Sequence, residues 1–214
     1  AHHWLSKTLT NLGRREEATS ALAEAIASLP ALDGEDSLAY ALRLRGDTEL
    51  QSCQLAPAEA TAIELEALAK SRGDRLPLGL SNRLRGEVAA ARGDLAEAQR
   101  HFGDARRQLL ENADSEETEE LDVAWAESAI RFGELAAARE IASRVRPDPT
   151  AAIETTRQFV AEAILARLDA DEGRREASAR RLEVLAAKAI GSTSVRRRLG
   201  LLRASAALAI ATGS

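Results

Sequence analysis

A period of forty residues constrains this chain more than any other feature it has. Gly93-Asp94-Leu95-Ala96-Glu97-Ala98 is echoed by Gly133-Glu134-Leu135-Ala136-Ala137-Ala138 and again by Gly173-Arg174-Arg175-Glu176-Ala177. Upstream copies are Gly13-Arg14-Arg15-Glu16-Glu17-Ala18 and the degenerate Cys53-Gln54-Leu55-Ala56-Pro57-Ala58, and the last echo is Gly213. Self-similarity at a fixed spacing of this size marks an array of supersecondary units, each too small to bury its apolar face alone.

The residues that fill the period are helix formers. Hydrophobic residues make up 45% of the chain but aromatics only 3%, so a core has to be built from Ala and Leu, which suit close helix–helix packing and suit a sheet poorly. The five prolines, at 30, 57, 77, 147 and 149, all fall at expected helix edges or in loops, where a helical chain tolerates them.

Taken in order, the repeats are expected at about 1–34, 35–76, 77–114, 115–150 and 151–192, with 193–214 as the first helix of a sixth. The first repeat reads as one helix from Trp4 to Gly13 and a second from Arg15 to Leu29. In the latter, Ala18, Leu22, Ala25, Ile26 and Leu29 make one apolar stripe. After the Pro30–Gly34 turn, Asp36 or Ser37 is the expected N-cap of a helix running to about Gln54. Pro57 opens the next helix, which ends near Gly73, a C-cap candidate. The third repeat is expected to begin near Leu80, and Arg83-Leu84-Arg85-Gly86 repeats Arg43-Leu44-Arg45-Gly46. The acidic run Asp114, Glu116, Glu117, Glu119 and Glu120 opens the fourth repeat, where carboxylates in a first helical turn are favoured by the macrodipole.

Columns appear when the copies are aligned. Seven residues before each loop position stand Ser6, Gly46, Gly86, Ala126, Ala166 and Ala206; nine after it stand Leu22, Ala62, Phe102, Ala142 and Leu182. Small residues at a fixed point let paired helices approach, and the larger apolar column fills the space beside them. With Trp4-Leu5-Ser6, Gly13, Ala18, Leu22, Ala25 and Pro30 at matching spacing, the chain resembles the tetratricopeptide repeat (TPR) family over essentially its whole length. It departs from that family in its period, 40 rather than 34, and in having mostly Leu or Ala where aromatics are usual. Arrays of this period and composition are also similar to the helical sensor regions of large bacterial ATP-dependent transcription activators. The resemblance implies an all-α, right-handed superhelical solenoid of antiparallel hairpins, about eleven helices in one repeat domain spanning 1–214.

It also implies a concave surface lined by the first helix of each pair, where partners usually bind. One inner column holds His3, Arg43, Arg83, Val123, Ala163 and Arg203, and another holds Lys7, Asp47, Glu87, Glu127, Arg167 and Ala207, with Arg131 one turn from Glu127. The candidate partner-binding set is therefore Lys7, Arg43, Asp47, Arg83, Glu87, Glu127, Arg131, Arg167 and Arg203. Arg43 and Arg83 on adjacent repeats could clamp an acidic peptide or ligand, since guanidinium captures carboxylate or phosphate in two-pronged fashion. Equally, Arg43–Asp47 and Arg83–Glu87 are i, i+4 pairs able to satisfy each other, at about 0.2–0.5 kcal/mol each.

The remaining signals mostly exclude. A net charge of −5, from 34 acidic and 29 basic residues, gives no basic field of the kind nucleic acid requires. The one dense basic cluster, Arg196-Arg197-Arg198 with Arg203, lacks interleaved aromatics. A single Cys53 excludes an internal disulfide and a cysteine zinc cluster. No apolar run approaches the ~20 residues that span a bilayer and no signal peptide is evident, so a cytoplasmic setting is expected. There is no P-loop, no G-x-S-x-G and no H-E-x-x-H, so no enzyme, cofactor or metal is expected. Asp33-Gly34-Glu35-Asp36 is too short for an EF-hand loop, and His101 has no nucleophile near it in sequence.

Two features suggest a larger protein: Met is absent throughout, and the 195–212 helix spreads Leu199, Leu201, Leu202, Ala206, Leu208 and Ile210 around most of its circumference. A terminal repeat ordinarily turns a polar face outward. Continuation of the chain, self-association or a partner would each account for this, continuation being the expected one. The function expected is a non-enzymatic protein–protein interaction scaffold within a bacterial regulatory or signalling protein, binding a protein or peptide in its groove. The alternative is a ligand-sensing domain, for a small molecule or short peptide, in an ATP-dependent transcription activator. Neither membrane nor nucleic acid is an expected partner.

Overall fold

In the computed structural model, residues 15–28, 35–145, 153, 155–189 and 194–213 are described. All regular structure among them is helical: α1 Arg15–Ser28, α2 Glu35–Gln51, α3 Leu55–Arg72, α4 Arg75–Arg92, α5 Leu95–Glu111, α6 Ser115–Arg131, α7 Leu135–Val145, α8 Thr156–Asp171, α9 Arg175–Ala189 and α10 Val195–Thr212. These ten approach the expected eleven; the helix expected between Trp4 and Gly13 lies outside the described residues, as do Pro30–Gly34 and Gly191–Thr193. None of the described helices is long and apolar enough to cross a membrane.

One turn is used again and again. The N–H of residues 54, 74, 94, 114, 134 and 174 donates to the carbonyl five residues back, at 49, 69, 89, 109, 129 and 169. The residue just before each donor, at 53, 73, 93, 113, 133 and 173, has positive φ. This is the Schellman closure, which satisfies the carbonyls a helix end leaves over and reverses the chain in two or three residues. From 53 to 133 the turn therefore recurs every twenty residues, closing each helix from α2 to α6, and it closes α8 at 173. Gly73 is a C-cap as expected, and Asp74, Asp94 and Asp114 then cap the next helix, accepting from Leu76, Glu97 and Glu117 N–H at 2.9, 3.0 and 2.9 Å.

Two boundaries differ from the sequence reading. The third repeat's first helix starts at Arg75, not near Leu80, because Asp74 caps it and Pro77 sits in its first turn, where no N–H is missed. α2 starts at Glu35, which places both Asp36 and Ser37 inside its first turn instead of at its N-cap.

The chain divides into two compact units, Ala1–Leu121 and Asp122–Ser214, the division falling within α6. In the first, α1 packs on α2, α2 on α3, α3 on α4 and α4 on α5, and α2 also packs on α4. Leu22, Ala41 and Leu44 join α1 to α2, and Leu65, Leu80, Val88, Phe102 and Leu109 are fully buried further along. The small column and the large column meet here: a Cβ on Gly86 would stand 2.7 Å from the Phe102 ring. In the second unit, one cluster joins Val123, Ile141, Ala142, Val160, Leu165 and Leu168. A second cluster joins Phe159, Ala163, Ala166, Leu182, Leu185 and Ala204, seating α8 against α9 and α10.

Candidate functional site

Arg43 and Arg83, forty residues apart and on neighbouring helices α2 and α4, are brought together in the first unit. Both are buried. Arg43 Nη1 donates to Asp47 Oδ2 at 2.6 Å, and Arg83 Nε donates to Glu87 Oε1 at 2.9 Å, so each makes the i, i+4 pair written in its own helix. Arg83 then does more. Its Nη2 donates to Asp47 Oδ1 at 3.1 Å and its Nη1 to Glu117 Oε2 at 3.4 Å. Glu117 Oε1 also lies 3.1 Å from Arg43 Nε, though not in line for a hydrogen bond, which leaves that buried nitrogen without one.

Glu117 reaches this position because Asp114 caps α6 and fixes its first turn. Asp114 is itself held by the Tyr40 hydroxyl of α2, which donates to Oδ2 at 2.6 Å. Burial opposes the charge on Arg83, but Asp47, Glu87, Glu120 and Glu117 together outweigh it and hold the guanidinium's pKa above the ordinary arginine value. Glu117 shifts upward, because its own burial and the nearby Glu120 and Asp47 outweigh the pull of Arg43 and Arg83.

In the second unit the candidate side chains are far more open. Arg203 Nη1 of α10 lies 3.6 Å from Glu127 Oε1 of α6, with side chains 64% and 39% exposed. Arg167 pairs loosely with Asp171 at 3.5 Å. Arg131 donates to Ser128 Oγ at 2.9 Å. Lys7 lies outside the described residues. The structure thus divides the candidate set: Arg43, Asp47, Arg83 and Glu87 form a closed ionic network, while Glu127, Arg167 and Arg203 present charge to solvent.

Sequence reading passed over a second ionic centre. Asp169 near the end of α8 is buried, yet it receives Arg139 Nη2 at 3.0 Å, Arg174 Nη2 at 2.9 Å and Arg181 Nε at 2.9 Å. Burial would raise its pKa, but the hydrogen bonds from Arg174 and Arg181 and the charge of Arg139 prevail and lower it. Arg181 Nη1 additionally holds Glu162. The available signal was columnar: Glu162 and Arg181 occupy, two periods on, the positions of Asn82 and His101. That earlier pair is buried and bonded, His101 Nδ1 to Asn82 Oδ1 at 2.9 Å, whereas Arg181 is half-buried. Two copies thus place a polar contact at this point with different chemistry, while the same columns hold Leu42 with Thr61 and Asp122 with Ile141 in the others.

Among the described residues no group of three or more His, Cys, Asp or Glu is placed to hold a metal ion. No protein-family model matches the chain, and no curated protein matches it.

Proposed function

We propose that the chain is a non-enzymatic protein-binding scaffold, TPR-like, its hairpins stacking into a right-handed solenoid within a larger bacterial regulatory protein. The observation that carries this reading is the side-by-side placement of equivalent polar residues from successive repeats: Arg43 with Asp47, then Arg83 with Glu87. Matched side chains from successive repeats meeting in this buried network are what regular stacking of hairpins gives, and such stacking is what an extended recognition face needs. The sensor reading wants the two guanidiniums for a ligand, and Asp47, Glu87 and Glu117 already hold them. Recognition then falls to the open charges, Glu127, Arg167 and Arg203, which suit a partner of mixed sign.

The test is affinity capture by the folded chain, set beside Glu127→Arg/Arg203→Glu. That double exchange preserves an ion pair and inverts the surface it presents. One protein held by the parent and lost by the exchange supports the reading. Capture of nothing by a folded chain at low salt overturns the scaffold, and equal capture by both removes this face from it.

A further inference from the structure

The last helix carries two apolar faces. One is used: Ala204, Leu201 and Leu208 join the Phe159 cluster, and Gly200 runs so close to α8 that a Cβ on it would meet Ala163 Cβ at 3.3 Å. The other is open. Leu199, Leu202 and Ile210 are 46%, 64% and 83% exposed, and Ala206 between them is exposed too. They recur at i, i+3, i+7 and i+11, which places them on one stripe of the helix. One period upstream the same columns hold Phe159, Glu162, Ala166 and Ala170, and all four are buried. The stripe has the register of a packed seam.

Its order is large, large, small, large one way and large, small, large, large the other, so the large ends coincide and the large and small middle positions exchange. Two copies laid antiparallel set Leu199 against Ile210 of the second copy and Leu202 against its Ala206, a large residue into a small one. This is the self-complementarity that a two-fold interface requires. Charge selects the same polarity. Residues 195–212 hold Arg196, Arg197, Arg198 and Arg203 and no Asp or Glu. Parallel copies would stack these basic ends. Antiparallel copies place each basic first turn beside the other helix's C-terminus, where the macrodipole is negative.

We propose that α10 is a homodimerisation helix, the Leu199–Leu202–Ala206–Ile210 stripe packing antiparallel on that of a second copy. The seam is about 16 Å long at 1.5 Å per residue, so the dimer is weak, with a Kd on the order of 10 µM. It uses none of the residues of the ionic network and does not depend on the scaffold reading.

Sedimentation velocity of the whole 214-residue chain from about 5 to 500 µM reads it directly. The chain is expected to pass from monomer to dimer over that range. Leu202→Glu/Ile210→Glu, at exposed positions, is expected to raise the dissociation constant at least ~10-fold with the helical circular dichroism unchanged. Ile63→Glu, equally exposed on α3, is expected to leave it unchanged. A chain monomeric at the highest concentration overturns the proposal and assigns the stripe to a helix outside these residues; a dimer that survives the double substitution overturns it as well. Polarity is read in a Cys53→Gly background. There Leu199→Cys/Ile210→Cys is expected to cross-link between copies and Leu199→Cys alone is not, so cross-linking by the single variant rejects the antiparallel arrangement.

Discussion

Arg83 on α4 donates from Nη2 to Asp47 Oδ1 on α2 at 3.1 Å while its Nε is held by Glu87 of its own helix. Asp47 is the residue that stands to Arg43 as Glu87 stands to Arg83. The period therefore turns a helix pair worth tenths of a kcal/mol into a rung between repeats, and Glu117 closes the ladder from α6. Removing a buried guanidinium from among these carboxylates leaves charge without counter-charge. Arg83→Met is expected to lower stability by about 3–5 kcal/mol, read as a lower urea midpoint.

Glu117 is expected to behave differently. Its carboxyl has a folded pKa raised above the unfolded value of about 4.3. A raised acid favours folding most when protonated: its contribution is complete below the unfolded pKa and is lost as pH rises through the folded one. At neutral pH Glu117→Gln mimics the form the fold prefers. Its urea midpoint at pH 7 is expected to match or exceed the parent's, within about 1 kcal/mol, and near pH 4 the two should converge. A loss as large as that of Arg83→Met would show that Glu117 is a required counter-ion.

Two turns break the glycine rule that the other turns obey. Cys53 and Ala113 have φ of 57° and 55°, where glycines stand at 73, 93, 133, 173 and 213. A Cβ in this region costs about 1–2 kcal/mol, partly offset in the unfolded chain, where the side chain limits freedom. Ala113→Gly is expected to raise stability by about 0.5–1 kcal/mol, and Gly93→Ala to lower it by about 1 kcal/mol. Urea midpoints of the two variants, compared with the parent, test both signs.

The same turns show what was legible in the sequence. The 53/93/133/173/213 column was visible because four of its five members are glycine and Asp94-Leu95-Ala96 follows one of them with clear echoes. The intervening column, 73 and 113, does the same structural work but is Gly in one copy and Ala in the other, so the twenty-residue turn stayed hidden behind a forty-residue repeat. Packing was legible in kind: Gly86 and Phe102 were picked out by column and do meet. The ionic site was only half legible. The i, i+4 partners of Arg43 and Arg83 can be counted along a helix, but the reach to Glu117 depends on how α2, α4 and α6 pack, which no local pattern states. Glu117 had a sufficient local explanation, as a first-turn carboxylate, and that concealed its longer-range one. Asp169 likewise looks like an ordinary helix-end acid until Arg139, Arg174 and Arg181 close on it.

His101 offers a pH test of the remaining buried pair. Asn82 Nδ2 donates to Gln108 Oε1 at 3.0 Å, which turns Asn82 Oδ1 toward His101 Nδ1. The imidazole proton therefore sits on Nδ1, and Nε2 is left to accept from Arg100 Nη2 at 2.8 Å. Burial is the main force lowering the His101 pKa, aided by Arg100 and Arg85 and opposed by Glu97, whose Oε1 lies 3.1 Å from Nε2. A depressed folded pKa means the unfolded chain takes up the proton first. The stability His101 contributes is then present above the unfolded value of about 6.5 and is lost as pH falls through the folded one. Between these points the parent is expected to lose up to about 1.4 kcal/mol per pH unit from this residue. His101→Gln, which keeps a polar group beside Asn82 and cannot titrate, is expected to flatten that part of the profile. Urea midpoints taken at half-unit steps from pH 7.5 downward measure it. Identical slopes for parent and variant below pH 6.5 would mean that the imidazole is protonated in place, with Glu97 supplying the counter-charge and Arg100 swung away.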